Sequence, residues 1–132
     1  MMSVDQPAQL STTRLSIPQL SIIVPMLNEA AQLPELLSHL QTYKNRNCEI
    51  ILVDGGSSDG SVEIASKQFN VISSPAGRAR QMNAGARIAQ AERLLFLHAD
   101  TRLPVDADRL ILDGLKQSNS QWGRFDVSIQ GD

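Results

Sequence analysis

Three short polar runs hold most of the residues of this 132-residue chain that could do chemistry: Asn28-Glu29, Asp54-Gly55-Gly56-Ser57-Ser58-Asp59 and His98-Ala99-Asp100. Each follows an apolar run: Leu20–Met26, Cys48–Val53 and Leu94–Leu97. A carboxylate at a strand end can accept hydrogen bonds from a base or ribose, and one beside a diphosphate can hold a divalent cation that neutralises it. Asp54 suits the first task and Asp100 the second. Arg78 and Arg80 follow Gly77 and open a helical stretch, where they could donate to a phosphate or a base carbonyl. Plainer readings stand beside these. Asp54-Gly55-Gly56 is also a turn with helix-capping side chains, and Asp100-Thr101 also a strand-to-helix loop. His98 alone is more often structural than a ligand, and both arginines suit a solvated helix face. The weight lies in the combination, because open α/β sheets bind ligands in the crevice outside the carboxyl ends of their strands.

The elements that must place these residues follow from hydrophobic periodicity. Leu20–Met26 is short and β-branched, which predicts a buried strand with Pro25 at its last rung. Leu33, Leu36, Leu37 and Leu40 recur at helical spacing, and Pro34 restricts the helix start to its vicinity, with an end near Tyr43. Cys48–Val53 reads as a central parallel strand ended by the glycines. Ser57, Ser58 and Asp59 offer cap oxygens to a helix carrying Val62, Ile64 and Ala65. Asn70–Ser73 reads as a third strand. Arg78–Ala91 is predicted as a helix with Met82, Ala86 and Ala89 on one face. Leu94–Leu97 is the fourth strand, Leu110, Ile111 and Leu115 mark a helix after Pro104, and Trp122–Ile129 alternates as a last strand. The β-α alternation implies parallel strands, right-handed crossovers and helices on both faces. Residues 1–18 are expected to be a loose tail, with one domain over 19–132.

Composition excludes several classes. With 42% hydrophobic and 20% charged residues and a net charge of −2, nothing attracts nucleic acid or an anionic membrane surface. The longest apolar runs fall far short of a membrane span, and residues 1–18 lack a signal-peptide core. Cys48 is the single cysteine, expected as a small buried hydrophobe. A cytoplasmic address is expected, or one peripheral to the inner membrane. The glycine-rich phosphate loop of ATPases and the dinucleotide fingerprint of NAD enzymes are both absent from the sequence. Cys48 and the two histidines, His39 and His98, form no recognisable nucleophile arrangement.

Ser21–Glu29 and Ile51–Gly60 resemble the opening of glycosyltransferase family 2. Gly77–Ala86, Leu95–Thr101 (LFLHADT) and Trp122–Phe125 resemble a bacterial subgroup of it, so the likeness spans about Leu20 to Val127. The resemblance implies a GT-A fold, a Rossmann-like, mostly parallel sheet flanked by helices. It also implies a nucleoside-diphosphate sugar donor, a divalent metal such as Mg²⁺ or Mn²⁺, and transfer with inversion to an acceptor that is a saccharide, a lipid or a small molecule. Pro25, Asn28 and Glu29 would then line the nucleoside pocket, and Asp54, with Gly55, would meet the base. Arg78 or Arg80 with Asn83 would approach base and phosphates, and Asp100 would hold the metal. At the first position of the family's D-x-D motif stands His98, an imidazole better suited to a transition metal than to Mg²⁺. The family's acceptor-binding half, with its general base, is expected beyond residue 132, so a truncated, donor-binding part of the enzyme is expected. An inactive nucleotide-sugar-binding module and a nucleotidyltransferase are the alternatives. The second usually has a glycine-rich loop after strand one, and Pro25–Glu29 contains no glycine.

Overall fold

The computed structural model describes residues 17–104 and 106–117. Four strands, β1 (Leu20–Met26), β2 (Cys48–Asp54), β3 (Asn70–Ser73) and β4 (Leu94–Phe96), form one sheet in the order β3-β2-β1-β4. Every pairing is parallel. Four helices connect or follow them: α1 (Leu33–Lys44), α2 (Ser61–Ser66), α3 (Arg78–Ile88) and α4 (Ala107–Gln117). The stretch Trp122–Ile129, expected as a strand, lies outside the described residues.

Strand alternation divides the apolar side chains between two faces. Leu20, Ile22, Val24 and Met26 of β1 join Cys48, Ile50 and Leu52 of β2 in the larger core, beneath Leu33, Leu36, Leu37 and Leu40 of α1, with Ala65, Ala107 and Ile111 completing it. Ile23, Ile51 and Val53 form the opposite face, where Ala84, Ala86 and Ala89 pack. Both faces of β1 and β2 are therefore covered, which is why those strands read as continuous apolar runs. Cys48 is buried as expected, and burial pushes its thiol up to about 12, so it stays protonated and inert at neutral pH.

α3 approaches the sheet closely because it presents a glycine there. A Cβ on Gly85 would lie 2.5 Å from Ile23 Cγ2 and 3.1 Å from Val53 Cγ2. The face expected to pack, Met82 with Ala86 and Ala89, is thus corrected in part. Gln81 and Gly85 are the buried positions, while Met82 is only half-buried. Periodicity missed this because closeness, not side-chain hydrophobicity, selects the contact. The helix also stops at Ile88 rather than Ala91. Ala89 turns extended, and the next N–H groups are taken by the first two strands: Gln90 donates to Glu49 Oε1 (2.8 Å) and Ala91 to Ser21 Oγ (3.2 Å).

Pro25 shows why the strands part where they do. Along β1, the N–H of Ser21 and the carbonyl of Ile23 serve the β4 side, bonding Arg93 O and Leu97 N at 2.9 Å each. By the same alternation, position 25 would be the next donor towards β4, and proline has none. The β1–β4 ladder ends there, whereas pairing with β2 runs on to Met26 and Asp54. The expectation of Pro25 as the last rung is therefore corrected on both sides: Ile23, opposite Phe96, is the last residue of β1 paired with β4, and on the β2 side the strand runs one residue past Pro25, to Met26 opposite Asp54.

Candidate functional site

In the order β3-β2-β1-β4, the chain passes outward through β2 and β3, then crosses back to the other side of β1. The reversal between β1 and β4 is the switch point where such sheets open a crevice. A cleft of about 690 Å³ lies there, lined from the end of β1 by Pro25, Met26, Leu27 and Glu29, from the start of α3 by Gly77, Arg78, Gln81 and Met82, and from the end of β4 by Phe96–Asp100.

Of the residues singled out in the sequence, Pro25, Glu29, Arg78, His98 and Asp100 line this cleft; Asn28, Asp54, Gly55, Arg80 and Asn83 do not. Arg78 and His98 meet across it. The guanidinium donates to the imidazole Nε2, which requires the ring proton on Nδ1. Asp100 is exposed, and its Oδ1 accepts only a long bond, 3.4 Å, from Thr101 Oγ1. Among the described residues, no three His, Cys, Asp or Glu side chains converge as a ligand set.

Asp54 and its neighbours do structural work beside the cleft. Asp54 is buried, and its Oδ2 accepts from Gly56 N and Ser57 N, 2.9 Å each, while Oδ1 accepts from Ser57 Oγ. The loop after β1 is then tied to this turn. Asn28 N donates to Ser57 Oγ (2.7 Å), Ser58 N to Asn28 Oδ1 (2.8 Å), Glu29 N to Ser61 Oγ (3.0 Å) and Ala30 N to Asp59 Oδ2 (3.0 Å). Asn28 sits at φ 55°, a left-handed conformation that asparagine tolerates better than most residues. The serines expected as helix caps are therefore used mostly on the first loop. The helix begins later, with Gly60 at its N-cap and the Ser61 N–H received by Asp59 Oδ1. The Ser61 hydroxyl, with the Ala30 N–H, holds the Asp59 carboxyl below its ordinary range.

The loop bearing Asp100 is held from below by α1. His39 Nε2 accepts from Leu103 N (3.0 Å), Tyr43 Oη donates to Pro104 O (2.7 Å), and Arg102 bonds Ala99 O, Thr101 O and Glu35. Burial, and then the Arg102 charge, lower the His39 pKa against the opposing pull of Glu35. The unfolded chain therefore binds more protons than the folded one just below 6.5. This contribution to stability is complete above that pH and is lost as pH falls through it towards the depressed folded value. Urea titrations of the parent and of His39→Gln, at pH 7.5 and pH 5.5, are expected to show a stability loss on acidification that is smaller in the variant.

Gln81 was missed by sequence reasoning as a site residue. It is 4% exposed. Its Nε2 donates to Met26 O (3.0 Å) and Val53 O (2.8 Å), and its Oε1 accepts from Gly77 N (3.3 Å). The available signal was a glutamine on the sheet-facing side of an alanine-rich helix, since a buried amide needs partners. Phe96, 43% exposed on the cleft wall, was missed because an apolar strand residue reads as core.

A four-stranded parallel sheet in this order, with helices on both faces and a cleft at the reversal, is a Rossmann-like arrangement, and its likeness to solved glycosyltransferases makes it a GT-A fold. A crystal structure of S. aureus TarS shares it, with a TM-score of 0.65 at 22% identity over 76% of this chain and 33% of that one. A mannosyltransferase from Pyrobaculum calidifontis, solved in complex with GDP-Man and Mn²⁺, gives a TM-score of 0.60 at 26% identity, over 74% and 32% of the two chains. The chain belongs to glycosyl transferase family 2, whose model matches residues 21–131. A PGL/p-HBAD biosynthesis glycosyltransferase of Mycobacterium bovis is 35% identical over 108 residues, covering 73% of this chain and 40% of the relative. A dolichol-phosphate mannosyltransferase of Mycosarcoma maydis is 31% identical over 130 residues, 87% and 44%. The chain thus spans less than half the length of these curated relatives. No helix among the described residues is long and apolar enough to cross a membrane.

Proposed function

We propose that the cleft between β1 and β4 binds a nucleoside-diphosphate sugar, and that this chain supplies the donor-binding part of an inverting, metal-assisted glycosyltransferase. The observation that carries the reading is the placement of a cation and a carboxylate, Arg78 and Asp100, on one cleft at the switch point. Complexes of similar proteins with GDP-Man and Mn²⁺, and with UDP, support it. The LFLHADT and Trp122–Phe125 runs support the narrower placement in a bacterial subgroup.

Pro25, Met26, Leu27 and Glu29 would flank the nucleoside, with Arg78 at the diphosphate. An exposed carboxylate that accepts one long bond among the described residues suits Mg²⁺ or Mn²⁺, since such ions are commonly held by one or two carboxylates together with substrate phosphates. Asp100 would hold the ion, and His98, whose Nε2 serves Arg78, would be the weaker candidate. When bound, the cation neutralises charge on the leaving diphosphate. As the acceptor oxygen forms its bond to the anomeric carbon, the bond to the diphosphate breaks and its electron pair leaves with the nucleotide. Arg78 stabilises that developing charge. The acceptor hydroxyl gives its proton to a base proposed to lie outside residues 17–117.

Isothermal titration with UDP, GDP and TDP, with and without Mn²⁺, tests the reading. At least one is expected to bind more tightly with Mn²⁺. Asp100→Ala is expected to remove the metal-dependent gain, and Arg78→Ala to weaken binding by about 10- to 100-fold, as for loss of a charge-assisted hydrogen bond. Absence of binding to all three, or an Asp100→Ala protein that binds like the parent, would overturn it.

A further inference from the structure

We infer that Gln81 is a positioning residue that sets the register of α3 against the strand ends and thereby aims Arg78 into the cleft. The inference rests on the diphosphate reading above. α3 meets the sheet through Ala84, Gly85 and Ala86, small residues that allow close approach but interlock little. The register has to come from elsewhere. Gln81 supplies it with one buried amide that joins the last carbonyl of β1, a carbonyl near the end of β2 and the N–H of Gly77, immediately before the helix. The site is fitted around this side chain. A Cβ on Gly55 would lie 2.9 Å from Gln81 Cδ and 2.9 Å from Oε1, and Gly55 N itself donates to the same Met26 carbonyl at 3.0 Å.

Arg78 lies three residues before Gln81, one turn back along the same side of the helix. A shift of the first turn relative to the strand ends therefore carries Arg78 relative to His98 and Asp100, which are fixed separately at the end of β4. Gln81 acts through this geometry and not through the reacting atoms. The amide must donate twice and accept once. Gln81→Glu keeps an acceptor for Gly77 but cannot donate to either carbonyl when ionised, and Gln81→Leu makes none of the three bonds.

The test is a double-mutant cycle on nucleoside-diphosphate affinity, joined to a ligand-free readout. Gln81→Leu is expected to weaken binding of the diphosphate that the parent prefers by about tenfold in the parent, and by less than about twofold in an Arg78→Ala background, since coupled residues depart from additivity. In ¹⁵N spectra without ligand, the His98 ring nitrogens of Gln81→Leu are expected to move towards their positions in Arg78→Ala. A core variant on the opposite face, Leu36→Ala, is expected to leave them in place. Should Gln81→Leu not fold, Gln81→Glu and Gly55→Ala displace the same amide and answer the same question. Equal weakening in both backgrounds, or unmoved His98 resonances, would overturn the positioning role while leaving the diphosphate site intact. A parent protein that binds no nucleoside diphosphate would overturn both.

Discussion

Gly85→Ala is expected to lower the unfolding free energy by about 1–3 kcal/mol in urea titrations, and Gly85→Val by more. The added Cβ would fall 2.5 Å from Ile23 Cγ2 and 3.1 Å from Val53 Cγ2. Neither neighbour can yield readily. Both are fully buried, and β-branched side chains have few alternative χ1 wells. The strain must instead lift α3 away from β1 and β2. Pairing Gly85→Ala with Ile23→Ala deletes the clashing methyl, so the double variant is expected to cost less than the sum of the single changes. Strict additivity would show that α3 does not sit on Ile23 as described.

Asp54→Ala is expected to cost about 2–4 kcal/mol, because it removes a buried carboxylate that accepts two backbone N–H bonds and one hydroxyl bond. Asn is expected to recover part of this, since it retains one acceptor oxygen but replaces the other with a donor. Loss of the turn also releases Ser57, which receives the Asn28 N–H, so the loop after β1 loosens with it. Thermal melts and amide exchange at residues 28–30 read both effects. A melting temperature unchanged in Asp54→Ala would mean that the carboxylate is free for a ligand and not committed to its own turn.

Much of this fold was legible because β1 and β2 are covered on both faces and so appear as unbroken apolar runs. β4 was legible from the apolar run Leu94–Leu97, although it is covered less fully than β1 and β2, with Phe96 half exposed on the cleft. α1 was legible from its leucine spacing, with Pro34 confined to the first turn. α3 was legible as a helix but not in its orientation. The sheet selects Gly85 for its lack of bulk and Gln81 for its hydrogen bonds, and neither property registers as hydrophobic periodicity. The 57–61 run was readable as polar turn chemistry, yet one sequence cannot reveal that its hydroxyls reach 29 to 32 residues back to the loop after β1. The strand ends were the right place to look. Which of their side chains enter the cleft depends on hydrogen bonds between loops distant in sequence, and so Pro25 and Glu29 line it while Asn28 and Asp54 brace it.

Paramagnetic broadening by Mn²⁺ together with UDP or GDP, read on the amides of ¹⁵N-labelled protein, tests the central claim most directly. Broadening is expected to centre on Leu97–Asp100 and to reach Leu27, Glu29 and Arg78, the three walls of the cleft. A groove of about 350 Å³ at the opposite ends of the strands, lined by Gln19, Glu92, Arg93 and Leu112 among others, is expected to stay sharp. Broadening centred on that groove, or no nucleotide-dependent broadening at Leu97–Asp100, would contradict a donor site between β1 and β4.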